Sequence, residues 1–232
     1  MKNKKYMFIM AIILIVLIIL VAVQNGIIWN MTQEKNNNTN KENPSNGNTI
    51  NYSATDDSKR FKQEYEKLNG TTDENNGETY NTVNIDENNP IVYVGLEELY
   101  NVMNNNENSY IYVSAPTCTY CRASIETLLK VLKDVGIDKL YYYDITANED
   151  AIEESKRNEI INKLVEQELL TLNEGGNESW SIPLLAITHS GEVTLKEIGT
   201  SINYNEGQAK NSPLTDEQKQ ELYNHYYELL KK

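Results

Sequence analysis

The two cysteines of this 232-residue chain, Cys118 and Cys121, stand with two residues between them in "SAPTCTYCRAS" (114–124). Such a pair can be a structural clasp, half of a metal site, or a redox centre that opens and closes. A four-residue ring removes little unfolded-state entropy, because the loop term grows only as ~1.5R ln n, so the clasp is a weak use. A structural zinc needs about four ligands, and the histidines available are His189, in the turn-like "HSGE", and His225, among polar residues near the C-terminus. Both read as ordinary surface side chains, so no metal is expected. No glycine-rich phosphate loop, Ser/His/Asp arrangement or pair of catalytic carboxylates stands out, and no cofactor is expected either. Redox chemistry is the favoured reading.

The surroundings of the pair sharpen it. "SYIYVSAP" is a β-branched and aromatic run ended by Pro116, which predicts a central strand. Beyond it Ile125, Leu128, Leu129 and Leu132 recur at helical spacing, predicting an amphipathic helix from Thr119 to Asp134. With Thr117 as N-cap, Cys118 takes the first helical position, where free N–H groups and the positive helix end stabilise a thiolate. Such cysteines have pKa values of ~3.5–7.5 in place of ~8.5. Cys118 is then the nucleophile. Cys121, a turn on and further inside, is the resolving thiol that closes the ring. Arg122 adds a cation beside the pair. Thr119 and Tyr120 lie between the thiols, where burial is not expected, and form part of a substrate surface.

The elements that must position this site follow from periodicity. "DDSKRFKQEYEKLNG" carries Phe61, Tyr65 and Leu68 on one helical face, with Asp57 or Ser58 as cap and Gly70 as stop. "TYNTVNI" (79–85) and "PIVYVG" (90–95) read as strands, "LEELYNVM" as a short helix and "DKLYYYDI" as a further strand. The stretch before Gly175 and Gly176 reads as a long helix over 150–172, burying Ile160, Leu164 and Val165. "IPLLAITHSGEVTLKEIG" is a hairpin turning at "HSGE", and "LTDEQKQELYNHYYELLKK" is a helix opened by a Thr215/Gln218 capping box. Parallel neighbours need crossovers and the hairpin supplies an antiparallel edge, so the order specifies an α/β fold with a mixed sheet flanked by helices. The adjacent tyrosines at 141–143 and 226–227 step into the core.

The N-terminal residues belong to another environment. After Lys2, Lys4 and Lys5, the run from Met7 to Val23 has no charge and no proline. As a helix it spans about 26 Å, near the ~30 Å of a bilayer core. An uncleaved anchor is favoured over a cleaved signal peptide, whose apolar stretch is shorter, at ~7–15 residues. Tyr6 and Trp29 sit at interfacial positions, and the lysines place the N-terminus in the cytoplasm and the rest outside. Residues 1–29 are thus a basic start and signal-anchor in the lipid bilayer (through 7–23). Residues 30–55, rich in Asn, Thr and Ser, are a disordered tether with a reach of roughly 25–30 Å. Residues 56–232 are the folded domain, with an N-terminal extension (56–90) and a core (91–232). The net charge of −13, less the +3 of the anchor region, leaves −16 on that domain. So acidic a body is a poor partner for nucleic acid or an anionic lipid surface.

From "YIYVSAP" through the helix-opening "CTYC" to Ile182-Pro183 before the hairpin, the chain resembles the thioredoxin superfamily. The resemblance implies a thioredoxin-like fold with a helical insertion before a cis-proline. It makes Pro183 that cis-proline, lying against the disulfide, and Ile182 the residue whose backbone pairs with an extended substrate. With its anchor, N-terminal helix and Pro-x-Cys-x-x-Cys motif, the chain is similar to membrane-anchored thioredoxin-like proteins of AT-rich Gram-positive bacteria, some labelled bacteriocin transport accessory proteins. The implied activity is that of an extracytoplasmic thiol–disulfide oxidoreductase at the cell membrane. Its partners are protein or peptide thiols and disulfides, and a membrane redox partner resets it. A non-catalytic module of the same fold, binding a secreted peptide such as a bacteriocin, is the alternative. Three positions depart from the family pattern. Tyr112 stands where a buried acid is usual, Thr117 where tryptophan precedes the first cysteine, and Glu126 where a proline kinks the helix. Glu126 either approaches Cys121 or faces solvent, and solvent is favoured. The missing histidine between the thiols leaves a centre less oxidising than the strongest disulfide donors.

Overall fold

Ile111, Tyr112 and Val113 are consecutive and all buried, which only a strand covered on both faces allows. In the computed structural model, which describes residues 49–231 apart from 75 and 148–150, they form the middle of β2 (Ser109–Ser114), the central strand of a five-stranded sheet. β3 (Leu140–Asp144) runs parallel to β2 on one side, and β1 (Ile91–Tyr93) parallel to β3 beyond it. On the other side β6 (Leu184–His189) is antiparallel to β2, and β7 (Glu192–Ile198) antiparallel to β6. Ser190 and Gly191, with φ of 51° and 85°, make the tight turn between them, the left-handed pair that matches strand twist.

Because side chains alternate across a strand, the sheet divides the core in two. Tyr112, Tyr142, Leu185 and Ile187 face α1 (Asp56–Glu66), α3 (Thr119–Val135) and α5 (Asp216–Leu230), meeting Phe61, Leu128 and Tyr226. Ile111, Val113, Tyr143, Leu184 and Ala186 face the opposite layer, packing with residues of α2 (Leu96–Met103) and α4 (Glu154–Glu166) such as Leu99, Ile160 and Leu164. This is the thioredoxin-like arrangement of a mixed sheet flanked by helices.

The differences from expectation are local. α1 is capped by Thr55, whose side chain accepts from Ser58 N while Ser58 Oγ accepts from Thr55 N; neither Asp57 nor Ser58 is the cap. Residues before it already touch the domain, with Tyr52 Oη donating to Ile137 O at 2.6 Å. Residues 79–85 are not a strand. Thr79 makes only an isolated antiparallel bridge to Thr72, with Tyr80 N donating to Thr71 O. Beyond it Asn81, Val83 and Ile85 are buried alternately, but no strand among the described residues pairs with them, and side chains take backbone groups: Asn69 Oδ1 accepts from Val83 N, and Glu66 Oε1 from Ile85 N. The helix expected over 150–172 is shorter. It stops at Glu166, and Glu168 turns left-handed with φ 55°. That turn sends Leu169 and Leu170 into the core, and a small hairpin of β4 (Thr171–Leu172) and β5 (Glu178–Ser179) follows. Ile161, not Val165, completes the buried face of α4. The anchor and most of the tether lie outside the described residues. Among the described residues, no helix is long and apolar enough to cross a membrane.

Candidate functional site

β2 delivers the chain into the site. After Ala115 and Pro116, both buried, Cys118 N donates to Ala115 O at 3.0 Å, a tight turn that starts α3. Cys118 is itself the N-cap. Its Sγ accepts from Cys121 N at 3.1 Å, taking the place that the Thr117 hydroxyl was expected to fill, and Thr117 is left exposed. Sγ of Cys118 is bonded to Sγ of Cys121, with Cα atoms 5.2 Å apart. The two sulfurs are unequal: Cys118 is partly exposed, whereas Cys121 is 0% exposed. A reagent arriving from solvent therefore meets Cys118.

Pro183 enters from β6. The Ile182-Pro183 peptide is cis. Leu184, the next residue, pairs with Val113 near the C-terminal end of β2, and Pro183 O accepts from Gly199 N at 2.8 Å. This register brings Ile182 and Pro183 to the end of the sheet from which the cysteine turn departs. Pro183 is buried, and Ile182 is half-buried and outside the ladder.

Thr119 is half-exposed, and Tyr120 is less open than expected. The connection between β7 and α5 folds over it: the Tyr204 ring meets Tyr120 at 5.9 Å between centroids, edge-on, and Lys210 Nζ lies 5.6 Å from the Tyr120 centroid. Gln218 fastens this connection from α5, its Nε2 donating to Asn203 O and to Gln208 Oε1. On the other flank of the motif, a cleft of about 520 Å³ opens beside Thr117, lined by Arg60 and Glu64 of α1, by Lys67 just after it, by Asp144 at the end of β3 and by Thr146 beyond.

Beneath the motif the position of Tyr112 is fully buried, and burial pushes its hydroxyl up to about 12, so it carries no charge at neutral pH. Tyr65 Oη and Ser114 Oγ share a hydrogen bond of 2.5 Å in the same layer. Ser124 Oγ donates to Tyr120 O at 3.0 Å and Cys121 O at 3.2 Å, holding the first turn of α3. Glu126 is exposed and accepts from Asn84 N at 2.5 Å.

Arg122, the cation expected beside the pair, is buried. It is 2% exposed, and its guanidinium donates to Asn81 O, Tyr65 O, Pro116 O and Asn69 Oδ1. Sequence reading found the residue and missed its partners, which apart from Pro116 lie 41 to 57 positions away in the extension. The conversion of "NTVNI" into a segment held by side chains has no local signal. Of the histidines, His189 is exposed and His225 Nε2 lies 3.0 Å from Glu197 Oε1. Among the described residues, no group of three or more His, Cys, Asp or Glu gathers to hold a metal.

No protein-family model matches the chain, and no curated protein matches its sequence. Among solved structures, thioredoxin from Trypanosoma brucei brucei is similar at 19% identity, with 50% of this chain and 86% of that chain covered and a TM-score of 0.34. Thioredoxin from Aeropyrum pernix is similar at 16% identity, over 60% and 82% of the two chains, with a TM-score of 0.33. Oxidised thioredoxin O2 from Arabidopsis thaliana is similar at 16% identity, over 48% and 84%, with a TM-score of 0.33. The reading of the site rests on the topology, disulfide and proline of this chain itself.

Proposed function

We propose that the chain is a thiol–disulfide oxidoreductase that works through Cys118 and Cys121. The observation that carries the reading is the inequality of the two sulfurs in a disulfide that opens a helix: one is open to solvent and the other is sealed. In the reducing direction, the Cys118 thiolate attacks a substrate disulfide, forming a mixed disulfide and expelling one substrate thiolate, which takes up a proton. Cys121 then loses its proton and attacks Sγ of Cys118, expelling the second substrate thiolate and restoring the protein disulfide. The substrate gains two electrons and the protein loses two. The reverse sequence oxidises a dithiol.

Thr119, Tyr120, Ile182 and Pro183 are the proposed substrate contacts, with the Ile182 backbone pairing to an extended polypeptide. We further propose that residues 7–23 anchor the chain in a cell membrane with the domain outside, and that a membrane redox partner resets the pair. Secreted peptides such as bacteriocins are the candidate substrates we propose, on the resemblance to bacteriocin transport accessory proteins alone.

Insulin reduction by the purified full-length chain with dithiothreitol, against its Cys118→Ser variant, tests this reading. Loss of the accelerated turbidity in the variant supports it. Equal rates would favour a binding module that holds a peptide without turnover.

A further inference from the structure

A buried guanidinium is ordinarily paired with a carboxylate, because an isolated charge is costly to remove from water. Arg122 is buried without one. Its five hydrogen bonds go to three backbone carbonyls and one amide oxygen: Nε and Nη2 to Asn81 O, Nη1 to Tyr65 O and Pro116 O, and Nη2 to Asn69 Oδ1. The faces of Tyr65 and Tyr80 lie 5.9 and 5.6 Å from its Cζ, and no ion pair engages it among the described residues. All of these partners but Pro116 belong to the extension before β1. The charge lies against the carbonyl of Pro116, two residues before Cys118. Arg122 is in the first turn of the helix that Cys118 caps, and its N donates to Cys118 O at 3.0 Å. Long helical side chains lean back toward the N-terminus, and the bond to Pro116 O shows this one doing so.

We propose that Arg122 sets the reactivity of Cys118. Its uncompensated charge, held in place by the extension, favours the Cys118 thiolate over the thiol, and so stabilises the reduced pair and makes the centre more oxidising. The inference rests on the oxidoreductase reading and gives the extension a role in it. Other charged and titratable groups lie on the elements around the motif: Tyr120 on α3, Tyr112 on β2, Tyr204 and Lys210 after β7, Asp144 on β3, Arg60 and Glu64 on α1, and Lys67 just after it. They differ from Arg122 in kind. Tyr112 is neutral, Glu64 is paired with Arg60, Asp144 accepts from Thr146 N and Oγ1, and Lys67 and Lys210 are exposed to screening solvent.

The test is the pH dependence of Cys118 alkylation by iodoacetamide, in the reduced full-length chain carrying Cys121→Ser. Arg122→Met should raise the Cys118 pKa by about one unit or more, with a matching tenfold loss of alkylation rate at pH values below it, while Arg122→Lys should keep most of the shift. Asn69→Asp keeps the acceptor of Nη2 but adds the missing carboxylate, and should also raise the Cys118 pKa. That variant keeps the test alive if Arg122→Met does not fold. A residue that only braces the structure would change melting temperature and leave the pKa of Cys118 in place. Unchanged pKa values in folded Asn69→Asp, and in Arg122→Met where it folds, would overturn the proposal. No substrate takes part in this titration, so its outcome is separate from that of the insulin assay, whose failure would remove the oxidoreductase reading instead.

Discussion

Tyr204 meets Tyr120 edge-on, with ring centroids 5.9 Å apart, so a residue from the connection between β7 and α5 shapes the surface between the two thiols. In the proposed function this pair forms part of the surface that a substrate meets. Edge-to-face contacts contribute about 0.5–1.5 kcal/mol beyond area burial. Tyr204→Leu should therefore lower kcat/KM for peptide disulfides by roughly two- to tenfold, while leaving the reduction potential of the pair unchanged. Steady-state kinetics, together with a glutathione redox titration, measure both quantities.

Alkali should unfold this domain. Burial raises the hydroxyls of Tyr65, Tyr112, Tyr142 and Tyr226 above the ordinary tyrosine range, Tyr112 to about 12. In the unfolded chain these groups lose their protons near pH 10. Between about pH 10 and 12 the unfolded state thus binds fewer protons than the folded one, and stability falls as pH rises. The contribution is fully present below pH 10. Tyr112 alone accounts for roughly 2–3 kcal/mol of it. Thermal melts across pH 8–12 should show the decline, and Tyr112→Phe should make it shallower.

Asn69 holds the extension to the redox helix. Its Oδ1 accepts from Arg122 Nη2 at 2.7 Å and Val83 N at 2.9 Å, and its Nδ2 donates to Val83 O at 2.8 Å. Asn69→Ala leaves these groups without that partner and should cost roughly 1–3 kcal/mol. Urea denaturation of the variant, read by far-UV circular dichroism, gives the figure.

Placing an acid at the Tyr112 position should be harmful. Tyr112→Asp buries a carboxyl in a layer of aromatic rings, and desolvation raises its pKa above the ordinary carboxylate value. The variant should lose stability as pH rises from about 4 toward 8, the opposite of the usual acid unfolding. Melting temperatures at pH 4, 6 and 8 report the sign.

The sheet was legible because its strands announce themselves. The apolar run at 109–114 can only be central, the Ser190-Gly191 turn names its hairpin, and Thr215 with Gln218 forms the capping box read from the last helix. The cysteine pair was legible for the same local reason, a strand ending in Pro116 just before a helical repeat. What escaped was tertiary. Residues 81–85 alternate like a strand because alternate residues are buried, but Val83 N and Ile85 N donate to side chains, of Asn69 and Glu66, and not to a neighbouring strand. The helix at 154–166 was overextended because Leu169 and Leu170 continue its apolar content past a left-handed Glu168. The burial of Arg122 escaped because the carbonyls of the extension that receive it, Asn81 O and Tyr65 O, lie 41 and 57 positions away in the chain.

The central claim is that Cys118 attacks and Cys121 resolves. Its most direct test is to incubate the full-length Cys121→Ser variant with native insulin, its disulfides intact, or with a peptide disulfide, and to map the adducts by non-reducing mass spectrometry. The account predicts a persistent mixed disulfide on Cys118, with little adduct on Cys121 in the reciprocal Cys118→Ser variant. Equal trapping on both cysteines, or no trapping on Cys118 across a range of redox buffers, would contradict it.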